Sequence, residues 1–141
     1  MGQYVSIYIN KEPDRYVENF LEYVRVYLNA DQDEEDGGSQ DSTKHFKTYS
    51  RGTIFLKEHY LPMDDRPGNP LTVALMIKRD AGYDAATGDW EFAQFSLDGT
   101  VLFSGNSKDQ PTYQMCIKCH QNMAERDYIF STFCSLATGA K

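Results

Sequence analysis

"WEFAQFSLDGTVLFSG", residues 90–105, decides how this chain folds. "WEFAQFSL" (90–97) reads as a strand, and "TVLFSG" (100–105) reads as another. Between them stands Asp98-Gly99, a pair that readily takes the positive φ angles of a tight hairpin turn. Strands joined by so short a turn run antiparallel.

Working outward, the same pattern recurs. "LTVALMIKR" (71–79) precedes the hairpin as a further strand, separated from it by the loop "GYDAATGD" (82–89). "GTIFLKEHY" (52–60) is another strand, with Thr53, Phe55, Lys57 and His59 on one face and Ile54, Leu56, Glu58 and Tyr60 on the other. "PMDDRPGNP" (62–70) reads as a turn-rich connection, since its prolines and Gly68 punctuate regular structure. Near the start, "YVSIYIN" (4–10) alternates Val5, Ile7 and Ile9 with Tyr4, Ser6 and Tyr8. Pro13 then suits a first helical turn. Tyr16, Phe20, Val24 and Leu28 recur every four residues, so 13–29 is expected to be an amphipathic helix. Residues 112–135 are expected to be helical too, with Ile117, Met123 or Ala124, and Tyr128 along one side.

The order β-α-β-β-β-β-α, with its hairpin-length connections, predicts an α+β fold. The expectation is an antiparallel sheet of about five strands packed with helices, in one domain spanning 1–141. The stretch "DQDEEDGGSQDS" (31–42) has no apolar residue and is read, within 31–45, as a solvated acidic loop.

Composition narrows the function. The 141 residues carry a net charge of −7, which makes duplex nucleic acid or an anionic membrane a poor partner. No apolar run approaches the roughly 18 residues of a membrane span. Ten tyrosines and eight phenylalanines are enough to fill a core or to line a pocket. No secretory signal is visible before the first strand, which fits either a cytoplasmic protein or a mature exported domain.

The chemistry lies in Cys116-Ile117-Lys118-Cys119-His120, the covalent haem attachment signature. The two cysteines stand one helical turn apart, so both sulfurs reach one porphyrin edge and form thioethers with its vinyl groups. His120 follows directly, and its imidazole is directed at the iron. A structural zinc site would need four ligands, and the remaining Cys134, His45 and His59 form no second pair. A thioredoxin-like dithiol would open a helix in a parallel βαβ setting, which the hairpins oppose. The expected cofactor is therefore one haem c, covalent through Cys116 and Cys119. Haem c maturation places the mature protein in the periplasm or otherwise outside the cytoplasm. Cys134 is left over, read as a buried thiol or an intermolecular disulfide. The sixth iron position stays open between Met63, Met76, Met115, Met123, His45, His59 and a vacant site for a small ligand.

Four stretches together resemble the cytochrome P-460 and cytochrome c′-beta family: "GTIFLKEHY", "MIKRDAGYDAATGDWEFAQF", "LDGTVLFSGN" and "CIKCHQNMAERDYIFSTF". They cover most of residues 50–134. The resemblance implies a mostly antiparallel sheet, often a dimer, and a five-coordinate haem with His120 as proximal ligand. It implies two activities. One branch oxidises hydroxylamine, handles nitric oxide and carries a lysine bond to the porphyrin; the matching lysine here is Lys57. The other binds nitric oxide or carbon monoxide in a pocket capped by aromatics. Lys57 faces the same way as Phe55, and a buried amine is held uncharged. In hydroxylamine-oxidising members a distal carboxylate precedes the haem motif. Here Asn106–Pro111 has no glutamate, and Asp109 is its single acid.

The expected catalytic residues are therefore Lys57 and Asp109. Phe55 shapes the distal pocket. Arg126 either pairs with Asp127 or steadies a haem propionate through two parallel hydrogen bonds. His59 is read as an exposed histidine near the strand end, with a distal role as the alternative. The leading functional expectation is redox chemistry on small nitrogen compounds, with electrons leaving to a partner cytochrome. The alternatives are non-catalytic binding of nitric oxide or carbon monoxide, and simple electron transfer.

Overall fold

The computed structural model describes residues 4–29 and 43–130. The acidic segment 31–42, Cys134 and residues 131–135 of the expected C-terminal helix lie outside the described residues.

One sheet organises the chain. Its five strands are β1 (Tyr4–Ile9), β2 (Ile54–Met63), β3 (Arg66–Lys78), β4 (Trp90–Ser96) and β5 (Val101–Gly105), in the spatial order β1-β2-β3-β4-β5. Every neighbouring pair is antiparallel. With one helix after β1 and a helical run near the C-terminus, this is the α+β architecture the sequence predicts. The Asp98-Gly99 turn forms as expected. Gly99 takes φ +90°, and the Asp98 carboxylate accepts the Thr100 amide at 2.9 Å.

Between β2 and β3 the structure corrects the sequence reading. Residues 62–70 are not a loose connection. The strands run on to Met63 and restart at Arg66, with Pro62 opposite Pro67. Only Asp64-Asp65 turns the chain, Asp64 at φ 55°. The prolines are tolerated because this arm has no third strand beside it. β1 pairs with β2 no further than Tyr60, and β4 pairs with β3 from Thr72 onwards. A proline N–H is missed only where a neighbour would accept it.

Helix α1 (Pro13–Tyr23) continues as a π-helical turn, Val24–Leu28. Its buried residues are Tyr16 and Asn19, while Leu28 ends exposed. Asn19 is buried without penalty because its amide pairs twice with the Lys47 backbone: it donates to Lys47 O and accepts from Lys47 N, both at 2.8 Å. These bonds tie α1 to the irregular segment 43–50.

The core lies between α1, that segment and one face of the sheet. Phe55 and Trp90 pack edge to face at 5.9 Å, and Tyr49 closes on both. Ile117, Ile129, Met76 and Phe92 complete the cluster. Such edge-to-face pairs each add about 0.5–1.5 kcal/mol to their burial.

Candidate functional site

The Cys-x-x-Cys-His motif lies on a helical run, 110–126, and the sequence explains where that run starts. Asp109 is its N-cap, its carboxylate accepting the Thr112 amide at 2.9 Å, and Pro111 stands in the first turn. The run passes through a π-helical turn, Tyr113–Ile117, then an α-helical turn, Lys118–His120, and a 3-10 stretch, Gln121–Arg126. Ile117 is 0% exposed and pins the run against the core. With Ile117 facing inward, Cys116, Cys119 and His120 come to the wall of one cavity.

The helical run ends at Arg126. Asp127 at φ 52° and Tyr128 at φ 65° turn the chain back, so Tyr128 is not part of a helical stripe. That reversal delivers the Tyr128 carbonyl to His120, whose Nδ1 lies 2.7 Å from it. A carbonyl only accepts, so Nδ1 carries the proton and Nε2 of the neutral ring keeps its lone pair. Phe92 and Phe130 flank the imidazole at 5.2 and 4.8 Å. Burial pushes the His120 pKa down to about 4; the Tyr128 carbonyl acts the other way, and the charge of Lys57 adds to the fall.

The cavity measures about 630 Å³ and lies between this run and the inner face of the sheet. That volume is in the usual range for small-molecule and cofactor sites. Phe55, Lys57 and His59, from alternate positions on β2, all line it, as the period of two predicts. Burial lowers the Lys57 pKa, while the nearby Cys116 and Cys119 oppose the shift. Burial also pushes the Cys116 thiol up, against the pull of Lys57. His59 is half-buried on the cavity wall, which corrects its reading as an exposed residue. Its pKa falls through burial and the charge of Lys57.

Of the other sixth-ligand candidates, Met76 and Met115 line the cavity. Met63 lies at the tip of the β2–β3 arm, and the His45 amide donates to Glu22 in α1. Met123 sits under Arg126, accepting from its guanidinium through sulfur.

Two expected site residues are elsewhere. Asp109 does not line the cavity; its carboxylate is used as the helix cap, and those bonds from Thr112 hold its pKa down. Arg126 is buried away from the cavity, its guanidinium 4.7 Å from the Tyr23 ring and 5.8 Å from that of Tyr27. It does not pair with Asp127, which binds Lys78 at 2.8 Å instead.

Sequence reasoning missed the aromatic flanks of His120 and the carbonyl that orients it. Phe92 carries a usable signal, since it shares a β4 face with Trp90 and Gln94. The Tyr128 carbonyl carries none, because any residue has one.

The residues present suit a haem. Two thiols and one imidazole with a free nitrogen share a largely apolar cavity of sufficient size, and the opposite wall bears no carboxylate among the described lining residues. A dithiol of thioredoxin type does not fit: the sheet is antiparallel throughout, and Cys116 stands well inside a helical run that begins at Gln110. Among the described residues, no helix is long and apolar enough to cross a membrane. No curated protein matches the chain in sequence. The family model of Cytochrome P460 matches residues 22–131, most of the 141-residue sequence, and the chain belongs to that family.

Proposed function

We propose that this chain carries one haem c, tethered through Cys116 and Cys119 with His120 as proximal ligand, and performs redox chemistry on hydroxylamine or nitric oxide at a vacant distal site. The observation that carries this reading is the placement of His120. Its Nδ1–H donates to the Tyr128 carbonyl, and its ring faces a cavity shared with both thiols and Lys57.

Bound haem supplies an iron that takes up a small ligand and passes electrons on. The protein's own residues do the rest. Phe55 and Met76 give the cavity apolar walls. Lys57 is the residue assigned to the ring edge and to the lysine bond that the sequence resemblance implies. Its amine is held towards the neutral, nucleophilic form by burial. His59, also held towards neutrality, is the proton acceptor nearest to Lys57 on the same strand face.

The proposal extends to an exported protein that delivers electrons to a partner cytochrome, in a single domain that forms a homodimer. The outer face of the sheet supports the dimer, since Tyr8, Leu71 and Leu102 are exposed on it.

One observation favours a second reading. No carboxylate lines the cavity among the described residues, and Asp109 is used as a cap. A site without that acid suits a protein that binds nitric oxide or carbon monoxide without turnover. Simple electron transfer is the third reading, with Met76 or His59 closing the iron.

Mass spectrometry of the haem peptide tests the cofactor and its bonds: haem mass on the 116–120 fragment is expected, with a Lys57 fragment joined to it. Carbon monoxide binding to the reduced protein excludes a closed sixth position. Turnover of hydroxylamine with an artificial acceptor then separates the first reading from the second.

A further inference from the structure

We propose that Asp127 is a positioning residue for His120, fixing the Tyr128 carbonyl that orients the imidazole. The inference rests on the haem reading above. Asp127 and Tyr128 are consecutive non-glycine residues in the left-handed region, φ 52° and 65°. That conformation is disfavoured and persists only where the surroundings impose it.

The surroundings do so at both ends of Asp127, which is 6% exposed. Its carboxylate accepts from Lys78 Nζ at 2.8 and 2.9 Å and from the Tyr49 amide at 2.8 Å. Its backbone carbonyl accepts from Trp90 Nε1 at 2.9 Å. The side chain is therefore tied to β3 and to the segment before β2, and the backbone to β4. Tyr128 is held in turn: its amide donates to Met123 O at 2.8 Å. Its ring rests on Gly88, where an added Cβ would come within 2.5 Å of it. Between these anchors lies the one carbonyl that accepts from His120 Nδ1.

Lys78 also stands 5.0 Å from the Trp90 ring centroid, so Lys78, Trp90 and Asp127 form one unit behind the cavity wall. None of the three lines the cavity. Their influence on His120 runs through the Tyr128 peptide. A firm hydrogen bond at Nδ1 raises the basicity of Nε2 and fixes the ring orientation, the usual effect of an outer partner on a ligating histidine. Loosening the carbonyl weakens both effects.

The test is Asp127→Asn in the haem-loaded protein, read by the iron–histidine stretching band of the ferrous form and by the midpoint potential. The band is expected to move to lower frequency and the potential to rise. Lys78→Met should reproduce both shifts, and Lys78→Arg, which keeps the ion pair, should largely restore the wild-type band. Gly88→Ala presses on the Tyr128 ring, and its Cβ would also lie 3.3 Å from Asp127 Oδ1, so it should also move the band. Glu22→Gln breaks a more exposed ion pair, with Arg25, that does not involve the Tyr128 peptide, and should leave the band unmoved. Should Asp127→Asn fail to fold, Lys78→Met and Gly88→Ala carry the same comparison. A wild-type band and potential in folded Lys78→Met and Gly88→Ala protein overturns the proposal. Absence of covalent haem from the wild type is a different result, and overturns the haem reading together with this one.

Discussion

Ile117 occupies the variable position directly after the first cysteine, and it is expected to be among the costliest side chains to truncate. It is 0% exposed, packed in the cluster that contains Phe55, Trp90 and Phe92. Ile117→Ala removes three buried carbons, worth about 2.4 kcal/mol at about 0.8 kcal/mol each. The void left behind adds to this, so the expected loss is about 3–4 kcal/mol, inside the range for such truncations. Met115, two residues earlier on the same run, is 61% exposed, and Met115→Ala should cost no more than about 0.5 kcal/mol. Denaturant unfolding of wild type and both variants in the same haem state, with the slope checked for constancy, gives the comparison. A loss below about 1 kcal/mol for Ile117→Ala, or an equal loss for Met115→Ala, would contradict this expectation. Either outcome would mean that this isoleucine does not anchor the run whose rotation brings Cys116, Cys119 and His120 to the cavity.

Three further outcomes are expected. Asp84 joins the loop before β4 to the loop before the helical run, accepting from Ser107 N at 2.7 Å and from Ser107 Oγ at 2.9 Å. Burial pushes its pKa up, but those bonds and others prevail and leave it lowered. A lowered folded-state pKa means stability that is present above the unfolded carboxylate value and lost as pH falls through the folded one. The gap in stability between wild type and Asp84→Asn, followed by urea melts, should therefore close on acidification; a gap independent of pH would contradict this. Gly99→Ala meets nothing within 4 Å and should cost only the backbone strain of its φ of +90°, about 1–2 kcal/mol. Gly88→Ala adds a clash with the Tyr128 ring and should cost clearly more in the same thermal melts. Lys57→Met removes an amine whose burial disfavours its charge, so the haem-free chain should keep its stability or gain up to about 1 kcal/mol. A loss above about 2 kcal/mol would show that the amine is satisfied where burial says it is not.

Much of this architecture was open to reading because it rests on short-range rules. The alternation in β2 put Phe55, Lys57 and His59 on one face, and all three line the cavity. The Asp98-Gly99 pair specified its own turn. The β2–β3 arm was hidden for the opposite reason. Proline punctuation is a local signal, and whether it interrupts a strand depends on a third strand being alongside, which is a tertiary fact. Asp109 illustrates a competition between roles. A carboxylate three residues before Thr112, ahead of Pro111, is as good a cap as it is a candidate acid, and the backbone amide claimed it. Arg126 and Asp127 are adjacent in sequence and carry opposite charges, yet the left-handed turn at 127 sends them to different partners. One lies over the Tyr23 ring and the other binds Lys78.

The cavity's electrostatics run against the chain's composition, and that contrast bears on what it can hold. The sequence has 21 acidic residues and a net charge of −7, yet no acid lines the cavity among the described residues. Its titratable groups are Tyr16, Lys57, His59, His120 and the two thiols. Burial lowers the pKa of all three bases and raises that of Cys116. Each of these shifts favours the uncharged form, so desolvation rather than any ion pair sets the character of these four groups. A cation entering such a space would find no carboxylate among the described lining residues, and an anion would meet bases whose charged forms burial disfavours. A small neutral ligand avoids both costs and meets bases whose charged forms burial disfavours. That selectivity follows from the apolar walls that Phe55, Met76 and Phe92 present, so introducing a carboxylate at Met76 should weaken carbon monoxide binding by the reduced protein. Carbon monoxide affinity unchanged in a folded Met76→Glu variant would show that the wall's neutrality does not govern entry.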